Sequence, residues 1–351
     1  MAGPEDRNPL PSAEAREQIQ SLIRGYRIAA AVYVAVRLGI PDLLADGPRE
    51  VDDLAQATAS HAPSLRRVMR ALAAVGVLEK VGPSRFALTP AGAILRADDP
   101  DSLRPSILFT LNETHWRPWS RLLHTVQTGE TAFEHVHGVG LFDYLAAHPE
   151  VSALFNAGMA GNSPAHARLV AASYDFSGMR LIVDVAGGRG RLLTAILERN
   201  PQLRGILFDL PQVIEEARPL VNDAGVGARC EFVGGNFFEA VPSGGDAYLL
   251  RNIIHDWKDD RAVAILESCR RAMASAAHLV LVERYLPEDP REAVPVHHAD
   301  LEMLVNVGGQ ERTTEEYAAL LRRGGFRLTR TIPLGRAKEA MGHYLVEARP
   351  A

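Results

Sequence analysis

Val183-Asp184-Val185-Ala186-Gly187-Gly188-Arg189-Gly190 is an apolar run that ends in a glycine-rich turn, and a helical pattern opens directly after it. Glycines permit positive φ and let a ligand lie against bare backbone. Unpaired N–H groups at the start of the following helix favour a negative group, such as a carboxylate or a pyrophosphate. The next apolar run ends in Phe208-Asp209-Leu210-Pro211, and Asp209 lies 21 positions after Gly188. A carboxylate at that distance is placed to hold ribose hydroxyls. On spacing alone the pair fits either a dinucleotide or S-adenosylmethionine. A tight strand-to-helix turn without a ligand would also use a glycine, but three of them carry an entropy cost a plain turn does not need.

Around this motif the texture is alternating. Strand candidates Leu181–Val185, Gly205–Phe208, Cys230–Val233, Ala247–Leu250 and Leu279–Glu283 are separated by helices starting near Arg191, Gln212 and Asp259. Short β-rich runs with helices between them imply βαβ units and a parallel sheet covered on both faces, an α/β fold with a Rossmann-like sheet. Glu315–Arg323 is a further helix, and Phe326–Ile332 with Tyr344–Ala348 would close the sheet as a hairpin.

The first third reads differently. Ile19, Leu22, Ile23 and Tyr26 recur at spacings of three and four, as one buried helix face would. Val51–Gln56 opens with Asp52 and Asp53, where the helix dipole favours acids. Leu65, Val68, Met69, Leu72 and Val75 line one face of another helix, and Val77–Val81, the turn Gly82-Pro83-Ser84 and Arg85–Thr89 form a hairpin. Three helices and a hairpin make a winged-helix pattern. The expected organisation is a flexible tail over 1–17, a winged-helix-like domain over 18–105, a helical linker and pocket segment over 106–175, and a catalytic domain over 176–351.

Composition narrows the function. Of 351 residues 47% are apolar and 23% charged, which rules out disorder as the main state. Lys plus Arg number 38 against 43 Asp plus Glu, a net charge of -5 that gives nucleic-acid binding no support. Two cysteines, Cys230 and Cys269, make a disulfide framework impossible. The longest apolar run, Ile28–Val36, falls short of the ~20 residues a bilayer span needs. Met1 to Arg16 lacks the apolar core of a signal peptide, so a soluble cytoplasmic chain is expected, without membrane or nucleic-acid partners.

The fourth strand runs into Leu250-Arg251-Asn252-Ile253-Ile254-His255-Asp256-Trp257. Ligands of open α/β sheets sit beyond the carboxyl ends of the strands, so His255 is placed for chemistry, and an imidazole of ordinary pKa ~6.5 suits a general base. An ordinary histidine before a helix is the plainer alternative. Glu283 ends the fifth strand, and Glu311 lies in Gly308-Gly309-Gln310-Glu311-Arg312-Thr313. A carboxylate beside an imidazole fixes its tautomer and stabilises the imidazolium. Glu283 could instead be a strand-end charge in solvent, and Glu311 a helix-start acid beside the caps Thr313 and Thr314. At the third strand end, Asn236 and Phe237 suit an adenine edge and face. His297 or His298 could join His255 and Glu283 around a metal, although neighbouring helical residues point about 100° apart, so one at most would fit.

Together these motifs resemble the class I S-adenosylmethionine-dependent O-methyltransferases of the caffeic acid type and their bacterial antibiotic-pathway relatives, over nearly the whole chain from about Gln18. The resemblance implies a Rossmann-like class I methyltransferase sheet, an N-terminal winged-helix domain that forms a homodimer, S-adenosylmethionine as cofactor and a small aromatic hydroxyl compound as acceptor. It implies that His255 is the base and Glu283 and Glu311 its flanking acids. It assigns Ser163, Asp184, Ala186, Gly187, Gly188, Gly190, Asp209, Leu210, Asn236, Phe237, Arg251, Asp256 and Trp257 to the cofactor, with no resident metal. Asn236 stands where the family usually has Asp, Arg251 where Lys is usual, and Ala186 replaces a glycine. Phe155, Met159, Met303, Asn112 and Trp116 match the acceptor pocket. In that family the winged-helix region dimerises, so Arg66, Arg67 and Arg70 are expected on a solvated face rather than in a DNA-reading helix. Three other readings stay open: carbon methylation of an α-keto acid with a metal, a winged-helix regulator with a degenerate methyltransferase half, and a nicotinamide dehydrogenase.

Overall fold

A computed structural model describes residues 12–99, 101–160, 164–335 and 342–351. The chain divides into two compact units, Met1–Asn112 and Glu113–Ala351.

In the first unit, α1 (Ala13–Arg37) starts at Ser12, whose Oγ accepts the Ala15 N–H. The short strand β1 (Arg49–Glu50) leads into α2 (Val51–Ala57), with Asp52 and Asp53 in its first turn, and α3 (Ala62–Ala74) follows. Strands β2 (Leu78–Lys80) and β3 (Arg85–Leu88) form the expected hairpin, joined by β1 on its far side in the order β1-β3-β2. Ile40, Leu54, Met69, Leu72 and Phe86 are wholly buried between these elements. The α1 stripe departs from expectation: Ile19, Leu22, Ile23 and Tyr26 are 53–71% exposed. Their spacing marks an apolar face, and nothing among the described residues covers it; only Ala35 and Val36 at the far end of α1 are buried. Arg67 and Arg70 are exposed, and Arg66 reaches Asp52 at 3.3 Å.

The second unit holds one large sheet, of seven strands among the described residues, ordered β6-β5-β4-β7-β8-β10-β9. Its strands are β4 (Leu181–Val185), β5 (Arg204–Asp209), β6 (Cys230–Gly234), β7 (Ala247–Arg251), β8 (His278–Arg284), β9 (Phe326–Pro333) and β10 (His343–Pro350). The first five run parallel, and β10 pairs antiparallel with both β8 and β9, closing the sheet as a hairpin. Helices α4 (Pro164–Ser173), α5 (Arg191–Arg199), α6 (Pro211–Asp223), α7 (Asp259–Ala272), α8 (Val294–Asn306) and α9 (Thr314–Arg323) accompany it. Two hydrophobic clusters, one on each face, bury the sheet: Ile182 and Leu249 pack with α4 and α5, Val183 and Leu250 with α7 and α9. This double coverage explains the near-continuous apolar composition of β4, β7 and β8.

The strand order sets the site. From β4 the chain steps outward to β5 and β6, then returns to β7 on the other side of β4 and continues to β8. The reversal between β4 and β7 opens a crevice at their carboxyl ends. Into it lead the glycine-rich turn after β4 and the His255 turn after β7.

Candidate active site

The turn after β4 needs its glycines for backbone conformation and for packing on β4 and β5. Gly188 and Gly190 have φ of +57° and +74°, the left-handed region. A Cβ on Gly187 would stand 2.5 Å from Leu207 Cδ1 and 2.6 Å from Asp184 Oδ2. Ala186 shares the left-handed conformation, with φ 55°, so its side chain carries a strain that a glycine would avoid. Asp184 is 1% exposed, its Oδ2 has no hydrogen-bond partner, and burial pushes its carboxyl up to about 7. Asp209 closes the turn: Oδ2 accepts the Gly188 N–H at 2.8 Å and Oδ1 the Leu210 N–H at 2.7 Å. Each oxygen keeps a further lone pair for a ribose hydroxyl. Leu210 beside it is 46% exposed.

At the end of β6, Asn236 folds back on its own turn. Its Oδ1 accepts the Phe238 N–H at 3.0 Å and its Nδ2 lies 3.4 Å from Glu239. The oxygen expected to meet an adenine is therefore already engaged once. Phe237 lies edge-on to Phe238 at 4.7 Å and to Trp257 at 6.0 Å. Arg251, at the end of β7, has Nη2 3.2 Å from His166 Nδ1.

His255 sits in the 3₁₀ turn Ile254–Asp256 and is 4% exposed. Its Nδ1 lies 3.0 Å from Glu311 Oε1, and its Nε2 lies 3.4 Å from Asp256 Oδ1. Nδ1 is thus the hydrogen-bonded nitrogen, and the ring's freer side is that of Nε2 and Asp256, whose side chain is 18% exposed. Glu283 is fully buried and not a solvent-facing charge; its Oε1 accepts the N–H groups of Ile253 and Ile254, while its Oε2 stays 3.9 Å from the ring. Glu311 is likewise no helix-start acid. Thr313 caps α9 through a capping box with Glu316, leaving Glu311 to bind His255 and the Arg284 guanidinium at 3.1 Å.

The electrostatics follow. Burial alone would lower the His255 pKa, but the charges of Asp256, Glu311 and Glu283, with the Glu311 hydrogen bond, outweigh it and raise the ring to about 9. Glu311 moves the other way: burial is overcome by His255 and Arg284, and its carboxyl is held below the usual range. Burial dominates at Glu283 and Asp256, which rise to about 7 and about 6.

His255, Glu283 and Glu311 each place one ligand-type atom within 4.8 Å of the others; neither His297 nor His298 joins that group among the described residues. Arg284 already supplies a fixed cation to Glu311 there.

The remaining expected residues are spread more widely. Trp257 stacks on Phe142 at 5.3 Å, and Phe142 meets Phe155 edge-on at 6.4 Å, so an aromatic wall runs from Phe237 to Phe155. Met159 and Trp116 are 46% and 39% exposed, and Met303 lies half-buried on α8. Asn112 belongs to the first unit, where its amide donates to the Phe109 carbonyl. Ser163 lies outside the described residues.

Sequence reading missed the residues that hold the His255 turn in place. Arg312 is 1% exposed and donates to the carbonyls of Ile254 (3.1 Å), Trp257 (2.9 Å) and Gln310 (3.3 Å), and to Asp259 (2.8 Å). The Gln310 N–H donates to the His255 carbonyl at 2.9 Å, and Asp300 on α8 accepts the Glu311 N–H at 2.8 Å. Phe142 in the aromatic wall was missed too. The only signal for Arg312 and Gln310 was their place inside the Gly308–Thr313 motif.

Family models for an O-methyltransferase domain and for an O-methyltransferase dimerisation domain match residues 119–327 and 20–98. The phenazine O-methyltransferase PhzM of Lysobacter antibioticus is 45% identical over 329 residues, 94% of each chain. The solved mitomycin 7-O-methyltransferase MmcR superposes with a TM-score of 0.91 at 41% identity, covering 97% of this chain and 98% of its own. The neocarzinostatin-pathway O-methyltransferase NcsB1, solved with S-adenosylmethionine and 2-hydroxy-5-methyl naphthoic acid, matches with a TM-score of 0.80 at 31% identity over 92% and 96% of the two chains.

Proposed function

The chain belongs to the O-methyltransferase family, and from that premise we propose which residues carry its reaction and which acceptor it takes. It is an S-adenosylmethionine-dependent enzyme and a homodimer through its N-terminal domain. The exposed α1 stripe of Ile19, Leu22, Ile23 and Tyr26 is the face we assign to the second copy. Carbon methylation with a metal and DNA-binding regulation draw no support from the relatives.

The crevice fits the cofactor on its own terms: an orphaned buried Asp184 oxygen, the bare left-handed backbone of Gly188 with open space beside it, and the two part-satisfied oxygens of Asp209. Bound there, S-adenosylmethionine supplies a methyl group already activated by the sulfonium charge. Asp209 would hold the ribose, Leu210 and Phe237 the adenine, and Trp257 the wall shared with the acceptor.

The acceptor is a phenolic hydroxyl on a small aromatic secondary metabolite. The run of Trp257, Phe142 and Phe155 offers flat faces suited to such a ring. His255 takes the hydroxyl proton at Nε2, Glu311 holds Nδ1–H, and the imidazolium formed rests between Glu311 and Asp256. A base of pKa about 9 lies close to a phenol of about 10, so the proton moves between them at little cost. What the protein adds beyond deprotonation is position.

The observation that carries this reading is the 3.0 Å contact of His255 Nδ1 with Glu311, which leaves Nε2 as the reacting nitrogen. The test is incubation of the purified enzyme with S-adenosylmethionine and a panel of ortho-substituted phenols, with products identified by mass spectrometry and NMR. A methoxy product is expected; a C-methyl product would reject the assignment.

A further inference from the structure

On α8 lies a polar trio that the reaction above does not use. His115, in the helical turn Glu113–Trp116, is 3% exposed, and its Nε2–H donates to Glu302 Oε1. Asn306 follows Glu302 by one helical turn and is 2% exposed; its amide donates to the same oxygen at 3.0 Å. The carbonyl of Thr114, beside His115, lies 2.9 Å from His137 Nε2, which ties this turn to the helix Ala132–His137.

The helix α8 carries this trio between the two halves of the site. Near its middle Asp300 accepts the Glu311 N–H, and just past its end Val307 packs with Phe133 and with Phe155 of the aromatic wall. Glu302 and Asn306 lie between these anchors, and His115 and Glu302 are sequence neighbours of Trp116 and Met303. The trio leaves acceptors open. Both donors use Glu302 Oε1, so Oε2 takes no bond among the described residues, and the side chain is 26% exposed. An amide that turns its nitrogen to a carboxylate turns its oxygen away, and Asn306 Oδ1 is buried without a partner. An open carboxylate oxygen and an orphaned amide oxygen on adjoining side chains call for hydrogen-bond donors on the ligand.

Resting on the acceptor reading above, we propose that Glu302, braced by His115 and Asn306, is a specificity-determining residue of the acceptor pocket. It selects hydroxyarenes that carry a second hydrogen-bond donor, a hydroxyl or an amino group, and turns away those that carry a carboxylate. The donor completes a charge-assisted hydrogen bond at Oε2, and an acid in the same place meets a like charge. His115 and Asn306 are positioning residues: holding Oε1 from two sides, they fix the direction in which Oε2 is offered.

The probes share one ring system: 1-naphthol, the isomeric dihydroxynaphthalenes and aminonaphthols, and the isomeric hydroxynaphthoic acids. For each, kcat/KM for methoxy formation is measured with wild type, Glu302→Gln and Glu302→Leu, and calorimetry with S-adenosylhomocysteine reports that each variant is folded. In wild type the best donor-bearing isomer is expected to exceed 1-naphthol by at least ~10-fold, and the acids to fall below it. Glu302→Leu is expected to cut that donor preference by at least ~10-fold. Glu302→Gln still accepts from His115 through its carbonyl; it is expected to keep part of the hydroxyl preference and to raise the acids relative to 1-naphthol. If the leucine variant loses S-adenosylhomocysteine binding, the glutamine variant alone decides. A wild type that ranks 1-naphthol level with every donor-bearing isomer, or folded variants that keep the wild-type ranking, overturn the donor site and leave the aromatic-hydroxyl reading intact. Methylation of no member of the panel overturns that reading itself.

Discussion

A Cβ on Gly309 would stand 1.9 Å from the carbonyl oxygen of His255. The loop 308–312 therefore lies with its bare backbone on the turn that carries the base, and the same loop provides Gln310 N–H to that carbonyl and Glu311 to the ring. One segment thus fixes the backbone, the tautomer and the orientation of His255.

Gly309→Ala should be severe for this reason. The clash is with backbone, also 2.5 Å from Asp256 C, so no side chain can give way. The expected result is a fall in kcat of at least ~10²-fold, the scale lost when a catalytic base is displaced, with a smaller change in cofactor affinity. Steady-state kinetics beside calorimetry with S-adenosylhomocysteine check it. A variant with normal kcat would show that the loop does not hold the turn.

Arg312 acts through the carbonyls of Ile254 and Trp257 and touches no reacting atom. Arg312→Met leaves those carbonyls unpaired and breaks the ion pair with Asp259, whose side chain is 47% exposed. An expected loss of about 2–4 kcal/mol of stability, discounted for the exposed partner, should appear in denaturant unfolding. Arg312→Lys restores one charge but not the fork, and should recover stability only in part. In the folded fraction of either variant kcat should fall more than KM rises.

The rate should climb with pH above neutrality. His255 must be neutral to accept a proton, and its carboxylates raise the ring to about 9, so the competent fraction grows from pH 7 towards 9. Glu311→Gln removes one of those charges, so the apparent pKa of kcat/KM should move down. The sign is opposite for stability: a raised imidazole pKa contributes stability that is complete below the unfolded value near 6.5 and is lost as pH rises through about 9. A profile with an inflection at or below 6.5 would contradict the charge cage.

At the cofactor turn the two small residues should respond in opposite directions. Gly187→Ala places a methyl against Leu207 and Asp184, so S-adenosylhomocysteine binding should weaken at least tenfold by calorimetry. Ala186→Gly relieves a left-handed conformation worth about 1–2 kcal/mol, partly offset by roughly 0.5–1 kcal/mol of glycine entropy. A small rise in Tm is the expected net result.

What was legible in the sequence was local. The glycine-rich turn, Asp209 and the His255 motif sit at strand ends, and alternation of apolar runs located those strands to within a residue or two, as for Leu181–Val185. What was not legible depended on distant partners. Arg312 binds carbonyls 55 and 58 positions away, and no spacing rule marks that. Phe142 joins the aromatic wall only because the helix Leu141–Ala147 brings it against Trp257. The Ile19–Tyr26 stripe showed its apolar face, but periodicity carries no information on what covers it. Asn236 could be placed at the adenine edge, but not its oxygen's turn bond to Phe238.

The central claim is that His255 removes the acceptor's proton. The direct measurement is single-turnover methyl transfer by His255→Ala, at saturating S-adenosylmethionine, to an acceptor proven with the wild type. The account predicts a rate at least ~10²-fold lower, with S-adenosylhomocysteine binding retained. Transfer at the wild-type rate, with the acceptor still un-ionised at the working pH, would contradict it.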